Sequence, residues 1–288
     1  MEKLTRVHFS NLDKVLYPAV TVRKAEVIKY YISVAPRMLG FLNERVVVSN
    51  RFPDGVQEEG FYEKDAPNGK PDWVETFTRF SQSSRRYIRY VLCNNLDTLL
   101  WLANLSALEI HVTLSLVDAF EKPDLALFDL DPKPPAGFSE AIEVALLLKE
   151  TLDAMGLVSF VKTTGKKGLH VVLPIVREYT YAQTREFVHQ VGKLMAKESQ
   201  MVVSEASQSR DPGKVFIDYP QNSSSRTMIC PYSLRAEPEA TVSTPLDWSQ
   251  LKESDLTSSQ HNIFTLIQNK RNPWRDILDS RQRLSRNG

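Results

Sequence analysis

The spacing of apolar and polar residues along the chain predicts a mixed α/β protein. Apolar residues recur at helical spacing from Val27 to Leu39, which predicts a first helix that is capped by Thr21 and ends at Gly40. Strand-like runs and one buried helical run follow in the first half of the chain. The strands are expected at 45–51, 61–64, 74–80, 87–92 and 108–114, and the helix at 95–107.

The second half of the chain alternates more regularly between strands and amphipathic helices. Ser139 and Thr180 are expected to cap two helices, with Gly156 ending the first and Gln183 completing a capping box in the second. The predicted order is β-α-β-β-α-β, the arrangement of ferredoxin-like and RNA-recognition folds. The strands are expected at 124–131, 158–163, 169–174, 202–203 and 215–217, the helices at 139–155 and 180–198, and one or two amphipathic helices after Trp248.

Composition restricts the function classes without selecting one. With 36 Lys and Arg against 35 Asp and Glu, the net charge of +1 excludes a histone-like polyelectrolyte, although local basic patches can still bind phosphate. The two cysteines are too few for a four-cysteine zinc module or a disulfide framework. Since no run approaches about 20 apolar residues and the N-terminus lacks a signal-peptide pattern, we expect a soluble intracellular protein with no membrane association.

The strongest local signal is a pair of aspartates at the end of an apolar strand. Asp129 and Asp131 point to the same face because side chains alternate along a strand, and Pro132 ends the strand there. Two neighbouring carboxylates repel each other unless cations or protons compensate. A divalent metal would do so, and the alternative is a pair of solvated acids that end a strand.

A turn rich in glycine and lysine, residues 163–170, joins two later strands. Its backbone N–H groups and lysines could bind phosphate, although by itself it is more typical of an ordinary basic turn, and His170 alone is more typical of a structural histidine. In the predicted topology the first and third strands are antiparallel neighbours. Asp129 and Asp131 are therefore expected to meet His170 at one edge of the sheet.

A third acid, Asp218, ends a later strand. If 201–205 and 214–218 form a hairpin, Asp218 returns to the same edge, where three carboxylates could hold two metal ions; the alternative is a turn residue. Arg226 and Arg235 follow it and could bind triphosphate oxygens, or simply be solvated.

The N-terminal part offers separate candidates for binding phosphate and nucleic acid. Lys14 and Lys24 flank the start of the first helix, a favourable place for a phosphate monoester. Aromatic and basic residues follow in strands and in a turn, as in nucleic-acid grooves, although solvated lysines and core aromatics are the alternatives. These residues are Arg51, Phe61, Tyr62, Lys64, Arg85 and Arg86.

The order of these motifs resembles that of the archaeo-eukaryotic primase superfamily, which has an Asp-x-Asp pair, a small-residue turn ending in His, and a third Asp. More specifically, the sequence is similar to the polymerase domain of bacterial DNA ligase D and its stand-alone relatives. The matching segments are 11–18, 61–64, 107–111, 127–132, 165–174, 218–222, 231–235 and 243–248.

This resemblance implies an α/β (α+β) primase-polymerase fold in one catalytic domain, 1–288. An N-terminal αβ lobe, 1–122, would pack against a ferredoxin-like or RRM-like βαββαβ catalytic lobe, 123–235, with a helical tail at 236–288. The implied activity is template-directed, gap-filling primer extension that favours ribonucleotides, in double-strand break repair by non-homologous end joining. The implied location is the cytoplasm of a prokaryote, at the nucleoid.

The resemblance also implies ligands, partners and residue roles. Two Mn²⁺ or Mg²⁺ ions would be held by Asp129, Asp131 and Asp218, the catalytic residues. DNA ends with a 5′-phosphate, in gapped or 3′-overhanging duplexes, NTPs or dNTPs, a Ku-like end binder and a DNA ligase would be partners. The expected nucleotide contacts are His111, Thr164, Lys167, His170, Gln221, Arg226 and Arg235. The expected DNA contacts are Lys14 and Lys24 at the 5′-phosphate, Phe61 and Tyr62 on template bases, Arg51 and Lys64, and Arg85 and Arg86 in a hairpin at 82–90 that brings two ends together.

Two other functions fit part of the pattern. A haloacid-dehalogenase-like phosphatase also has a strand ending in Asp-x-Asp, but that family places the pair near the N-terminus, with the first Asp as nucleophile. A non-catalytic nucleic-acid-binding module would carry aromatic residues on the sheet, whereas this sheet edge carries acids that repel phosphate.

Overall fold

The computed structural model describes residues 5–82, 84–252, 256–257 and 261–284. Ser83, in the turn of the predicted basic hairpin, lies outside the described residues. In chain order the elements are β1 (Val15–Tyr17), β2 (Val22–Arg23), α1 (Lys24–Leu42), β3 (Val46–Arg51), β4 (Phe61–Glu63), β5 (Thr76–Ser81), β6 (Arg86–Leu92), α2 (Leu96–Asn104), β7 (Ala107–Val112), β8 (Leu125–Pro132), α3 (Phe138–Ala154), β9 (Phe160–Thr163), β10 (Leu169–Pro174), α4 (Tyr181–Glu198), β11 (Val202–Val203), β12 (Val215–Ile217), β13 (Met228–Ile229), β14 (Pro245–Leu246) and α5 (Ile263–Gln268).

The chain divides into two compact units, and the division differs from the predicted lobe boundaries. The first unit comprises Met1–Thr113, Met228–Ser243 and Ser259–Arg271, and the second comprises Leu114–Thr227, Thr244–Ser258 and Asn272–Gly288. Residues 228–235, predicted to lie in the catalytic lobe, join the first unit because β13 pairs with β7. The tail from residue 236 is shared between the units.

The first unit is built around a sheet whose strand order is β13-β7-β3-β6-β5, with β4 paired to β3. Helix α1 begins at Lys24, not at the predicted cap Thr21, because β2 pairs with β1 first and Thr21 has a φ of 55°. The backbone N–H of Arg23 donates to Glu26 at 2.8 Å. The helix also continues through Gly40 to Leu42, since its apolar face is buried along the whole length.

The second unit contains the predicted βαββαβ arrangement. Its sheet order, β11-β12-β8-β10-β9-β14, places the strand with the aspartate pair in the interior. On β8, Phe128 and Leu130 belong to the apolar core formed with α3 and α4. Asp129 and Asp131 therefore point to the opposite face.

Two local predictions in this unit differ from the structure. The predicted hairpin of 201–205 and 214–218 is wrong, because β11 and β12 pair in parallel. Ser139 lies inside α3, whose preceding residue Gly137 donates its N–H to Glu140 at 2.6 Å. The capping box of Thr180 and Gln183 at α4 is confirmed. Within the described ranges, no helix combines the length and the apolar character needed to cross a membrane.

Candidate functional site

Three aspartates lie on adjacent strands of the second unit. Strand β8 places Asp129 and Asp131 on one face, and β12 runs antiparallel to β8 with Phe216 opposite Asp131. The backbone N–H of Asp218 donates to the carbonyl oxygen of Asp129 at 2.9 Å. Asp218 thus reaches the end of the Asp129 strand by strand pairing with β8, without the hairpin that the sequence suggested.

The surroundings of Asp218 disfavour the negative charge of its carboxylate. Burial and, after it, the negative charges of Asp129 and Asp131 together raise its pKa to about 6, against the opposing charges of Arg226 and Lys133. Its side chain is only 20% exposed. The three acids therefore act on one another as like charges that the protein only partly compensates.

Each acid has a basic neighbour. Lys133 Nζ contacts Asp131 Oδ2, and Arg226 Nη1 lies 3.5 Å from Asp218 Oδ2. His170 Nε2 lies 3.4 Å from Asp129 Oδ1, since the two residues are direct partners in the β8–β10 register. Sequence reasoning predicted the place of His170 and missed Lys133, although it follows Asp131 by two residues.

The donor chemistry of the three acids suits a hard divalent cation. Carboxylate oxygens are the preferred ligands of Mg²⁺, and a bound cation would offset both the burial and the repulsion from Asp129 and Asp131 that raise the pKa of Asp218. Among the described residues, however, no group of three or more His, Cys, Asp or Glu side chains is arranged to hold a metal ion. Binding would therefore require the side chains to move from the ion pairs they form here.

The turn between β9 and β10 is fixed against the end of β8. Thr164 donates from both its N–H and its Oγ1 to the carbonyl oxygen of Gly168, at 3.0 Å each. A Cβ on Gly168 would lie 2.5 Å from the carbonyl oxygen of Leu130, so only glycine allows this close approach. The turn exposes the side chains of Lys166 and Lys167 beside the strand that carries Asp129 and Asp131.

A buried asparagine, which sequence reasoning did not assign to the site, anchors the segment after Asp218. Asn222 is fully buried, and its side-chain amide bonds both backbone groups of Leu127 on β8, as a neighbouring strand would. Leu127 N–H donates to Asn222 Oδ1 at 2.9 Å, and Asn222 Nδ2 donates to Leu127 O at 2.7 Å. Its Nδ2 also donates to Tyr219 O at 3.2 Å. The turn that contains the predicted nucleotide contact Gln221 is therefore held on β8.

His111 and Arg235, also predicted to contact nucleotide, belong to the first unit and share a buried carboxylate there. Arg235 Nε donates to Glu109 Oε1 at 2.8 Å, and His111 Nε2 lies 3.5 Å from Glu109 Oε2. Burial by itself would raise the pKa of Glu109, but the hydrogen bond from His111 and the charge of Arg235 hold it well below its ordinary value. The signal for Glu109 was available in the sequence, since positions 109 and 111 share one face of β7.

The backbone around Arg235 is held by tyrosine hydroxyls. Tyr17 donates to the carbonyl oxygen of Arg235 at 2.9 Å, and Tyr30 donates to that of Tyr232 at 2.8 Å. Burial raises the pKa of both Tyr17 and Tyr30, so these hydroxyls remain protonated donors. No sequence pattern indicated these contacts, which join β1 and α1 to a segment some two hundred residues later.

The two lysines predicted to bind a 5′-phosphate lie together in the first unit. The backbone N–H of Lys24 donates to the carbonyl oxygen of Lys14 at 2.8 Å, and Lys14 Nζ pairs with the exposed Asp54 at 2.7 Å. Lys24 is only 4% exposed. Burial lowers its pKa, and the positive charges of Lys14 and Arg51 lower it further, which makes this a place that favours an anion.

The predicted DNA-stacking residues are on the surface of β4. Phe61 is 46% exposed and Tyr62 is 59% exposed, and Lys64 is exposed as well. Arg51 lies over the Phe61 ring and donates to both oxygens of Glu63, at 2.9 and 3.1 Å. Arg51 thus supports the aromatic strand, and its predicted direct contact with DNA stays a prediction.

The hairpin of β5 and β6 carries the two other predicted DNA residues. Arg85, with a φ of 51°, and Arg86 are exposed, and Arg86 pairs with Asp65. Phe80 and Tyr87 pack edge to face across the hairpin, with ring centroids 5.4 Å apart. The hairpin therefore presents aromatic and basic groups together.

Comparisons with known proteins give one consistent family. The family model "LigD, primase-polymerase domain" matches residues 23–274. The bifunctional non-homologous end joining protein LigD of Bacillus subtilis is 33% identical over 91% of this chain and 42% of that protein. The multifunctional non-homologous end joining protein LigD of Mycolicibacterium smegmatis is 32% identical over 96% of this chain and 36% of that protein.

A solved structure matches over most of its length. The polymerase domain from Mycobacterium tuberculosis ligase D in complex with DNA is similar with a TM-score of 0.84 and 30% identity, covering 96% of each chain. This match agrees with the fold expected from the sequence. The chain spans only 36% to 42% of the two curated relatives named above.

Proposed function

This chain belongs to the LigD primase-polymerase domain family, and from that premise we propose that it extends a primer across gaps at broken DNA ends, in non-homologous end joining. The observation that carries the proposal is the convergence of Asp129, Asp131 and Asp218 on adjacent strands, beside a lysine-bearing turn. Family membership disfavours both the dehalogenase-like phosphatase and a purely binding module.

The proposed cofactor is a pair of Mn²⁺ or Mg²⁺ ions held by the three aspartates. Bound there, the ions would neutralise the triphosphate and make the primer 3′-oxygen a better nucleophile. Lys133 and Arg226, which contact two of these acids, would then be available to the phosphate oxygens. In the reaction the 3′-oxygen bonds to the α-phosphorus of the nucleotide as the bond to pyrophosphate breaks.

The residues of each unit have distinct proposed tasks toward the nucleotide. In the second unit Thr164, Lys167, His170, Gln221 and Arg226 surround the acid-bearing strand and would orient the triphosphate. In the first unit, His111 and Arg235 are the residues proposed to contact nucleotide. Arginine suits this task because its planar fork matches phosphate oxygens.

The proposed DNA contacts lie in the first unit. Lys24 is a buried ammonium acted on by two other cations, so a 5′-phosphate dianion beside Lys14 and Lys24 would remove an unfavourable electrostatic interaction. Phe61 and Tyr62 are exposed aromatic residues on which template bases could stack, with Lys64, Arg51, Arg85 and Arg86 near the backbone. A Ku-like end binder and a DNA ligase would be the partners at the break.

The decisive experiment uses a gapped duplex with a 5′-phosphate, a labelled NTP and Mn²⁺, with primer extension as the readout. We expect extension by the wild-type chain and none by Asp129→Ala, with DNA binding retained by both. Release of phosphate without extension would indicate a phosphatase. DNA binding without either reaction would indicate a binding module.

A further inference from the structure

One carboxylate of the first unit, that of Glu109, is almost completely buried although it lies beside residues proposed to contact nucleotide. Glu109 lies in the middle of β7 and is 3% exposed. Its strand partner on β3 is Asn50, and Tyr62 of β4 is the next residue across the same face. A buried acid in a sheet is costly unless it is paired, so the contacts of Glu109 indicate its task.

Both carboxylate oxygens of Glu109 accept hydrogen bonds. Oε1 accepts from Arg235 Nε at 2.8 Å and from the backbone N–H of Ala236 at 3.2 Å. Oε2 accepts from Asn50 Nδ2 at 3.2 Å and lies 3.5 Å from His111 Nε2. Two of these four partners, Arg235 and His111, are the residues of this unit proposed to contact nucleotide.

We propose that Glu109 is a positioning residue that sets the orientation of Arg235 and His111 toward the phosphates of the incoming nucleotide. The inference rests on the proposed function. A guanidinium whose Nε–H is held by a carboxylate cannot rotate freely about its long side chain, so the plane of its fork is fixed before substrate binds. Preorganised charges bind a triphosphate better than mobile ones, because less side-chain entropy is lost on binding.

The backbone supports the same interpretation. Tyr17 holds the carbonyl oxygen of Arg235, and the N–H of the following residue, Ala236, binds the same oxygen of Glu109 as the guanidinium does. Arg235 is therefore fixed at both its main chain and its side chain. A surface arginine whose only task was solubility would need neither constraint.

A purely structural role for Glu109 predicts a different result, so the test must separate the two. The variant is Glu109→Gln, which keeps the size of the side chain and removes its charge. The matched control is Asp97→Asn, another acid of this unit that pairs with an arginine, Arg6, at 2.6 Å. Nucleotide binding is measured by calorimetry with Mn²⁺ and NTP, and extension by steady-state kinetics.

We expect Glu109→Gln to raise the KM and the dissociation constant for NTP by about tenfold or more, with unchanged affinity for gapped DNA. Asp97→Asn should leave both nucleotide constants within about twofold. In an Arg235→Gln background, the effect of Glu109→Gln should be clearly smaller than in the wild-type chain, because only His111 remains for Glu109 to orient. Glu109→Asp, which keeps the charge on a shorter arm, should fall between, and it replaces Glu109→Gln if that variant does not fold.

The outcomes separate this inference from the proposed function. Equal, additive effects in the wild-type and Arg235→Gln backgrounds, or a lower unfolding midpoint with normal nucleotide affinity, would overturn the positioning role and leave the polymerase intact. Nucleotide binding that depends on Glu109 without primer extension would overturn the polymerase and support the positioning role. A wild-type chain that binds no nucleotide would overturn both.

Discussion

Replacing Asp218 by asparagine should stabilise the protein in the presence of a metal chelator, even though it removes a proposed catalytic group. The carboxylate is buried and faces the charges of Asp129 and Asp131. An uncharged side chain of nearly the same shape removes this unfavourable charge. Function and stability thus make opposite demands at this position.

The magnitude follows from the pKa of Asp218. At about 1.36 kcal/mol for each pKa unit, the difference between the ordinary value of 3.8 and about 6 corresponds to about 3 kcal/mol. Because the folded state binds the proton more tightly, stability falls as pH rises through this window and is level above it. The gain from Asp218→Asn should therefore be below about 1 kcal/mol at about pH 4 and reach its full value, about 3 kcal/mol, above about pH 7.

The assay is urea unfolding with EDTA at both pH values. Asp153→Asn serves as the control, because Asp153 is a half-exposed acid paired with Lys149 and should change stability by less than about 0.5 kcal/mol. Added Mn²⁺ should stabilise the wild-type chain more than the Asp218→Asn variant. An equal effect of Asp218→Asn at the two pH values would refute the electrostatic reasoning.

Three further predictions concern residues that shape the two sites. Lys24→Met should weaken binding to 5′-phosphorylated gaps, measured by fluorescence anisotropy, and an equal loss on 5′-hydroxyl gaps would contradict a phosphate site. The same change should raise the melting temperature, because it removes a buried charge whose pKa is lowered. Gly168→Ala should lower the free energy of unfolding by about 1–3 kcal/mol and reduce nucleotide incorporation, because the new Cβ would lie 2.5 Å from Leu130 O. Normal incorporation kinetics would show that the shape of this turn is not needed for the reaction. Asn222→Leu should cost about 2–5 kcal/mol in urea unfolding by leaving the N–H and C=O of Leu127 unsatisfied, and a cost below about 1 kcal/mol would show that water replaces the amide.

The sequence pattern predicted correctly those features of the fold that are decided by residues close together in the chain. The alternation on β8 predicted that Asp129 and Asp131 share a face, and the order of strands predicted that His170 lies beside Asp129, as the register shows. The capping box at Thr180 is likewise a local signal. These features depend on hydrogen bonds within a turn or on the shortest available strand pairing.

Sequence pattern failed where partners are distant along the chain. The pairing of Arg235 with Glu109 spans 126 residues, and no periodicity encodes it. The parallel pairing of β11 with β12 was missed because short apolar runs do not specify direction. The start of α1 was misplaced since the pairing of β2 with β1 competes with a helical turn after Thr21.

The pairing of β13 with β7 has a consequence for how the protein is synthesised. Ile229 pairs with His111, so the ribosome must complete residues 114–227 before the first sheet receives this strand. Until then the nascent chain exposes an unpaired strand edge at β7, and Arg235 has not yet reached Glu109. A fragment that stops before residue 228 should therefore need a chaperone to stay in solution, and neither unit can be cut from the gene as one continuous piece.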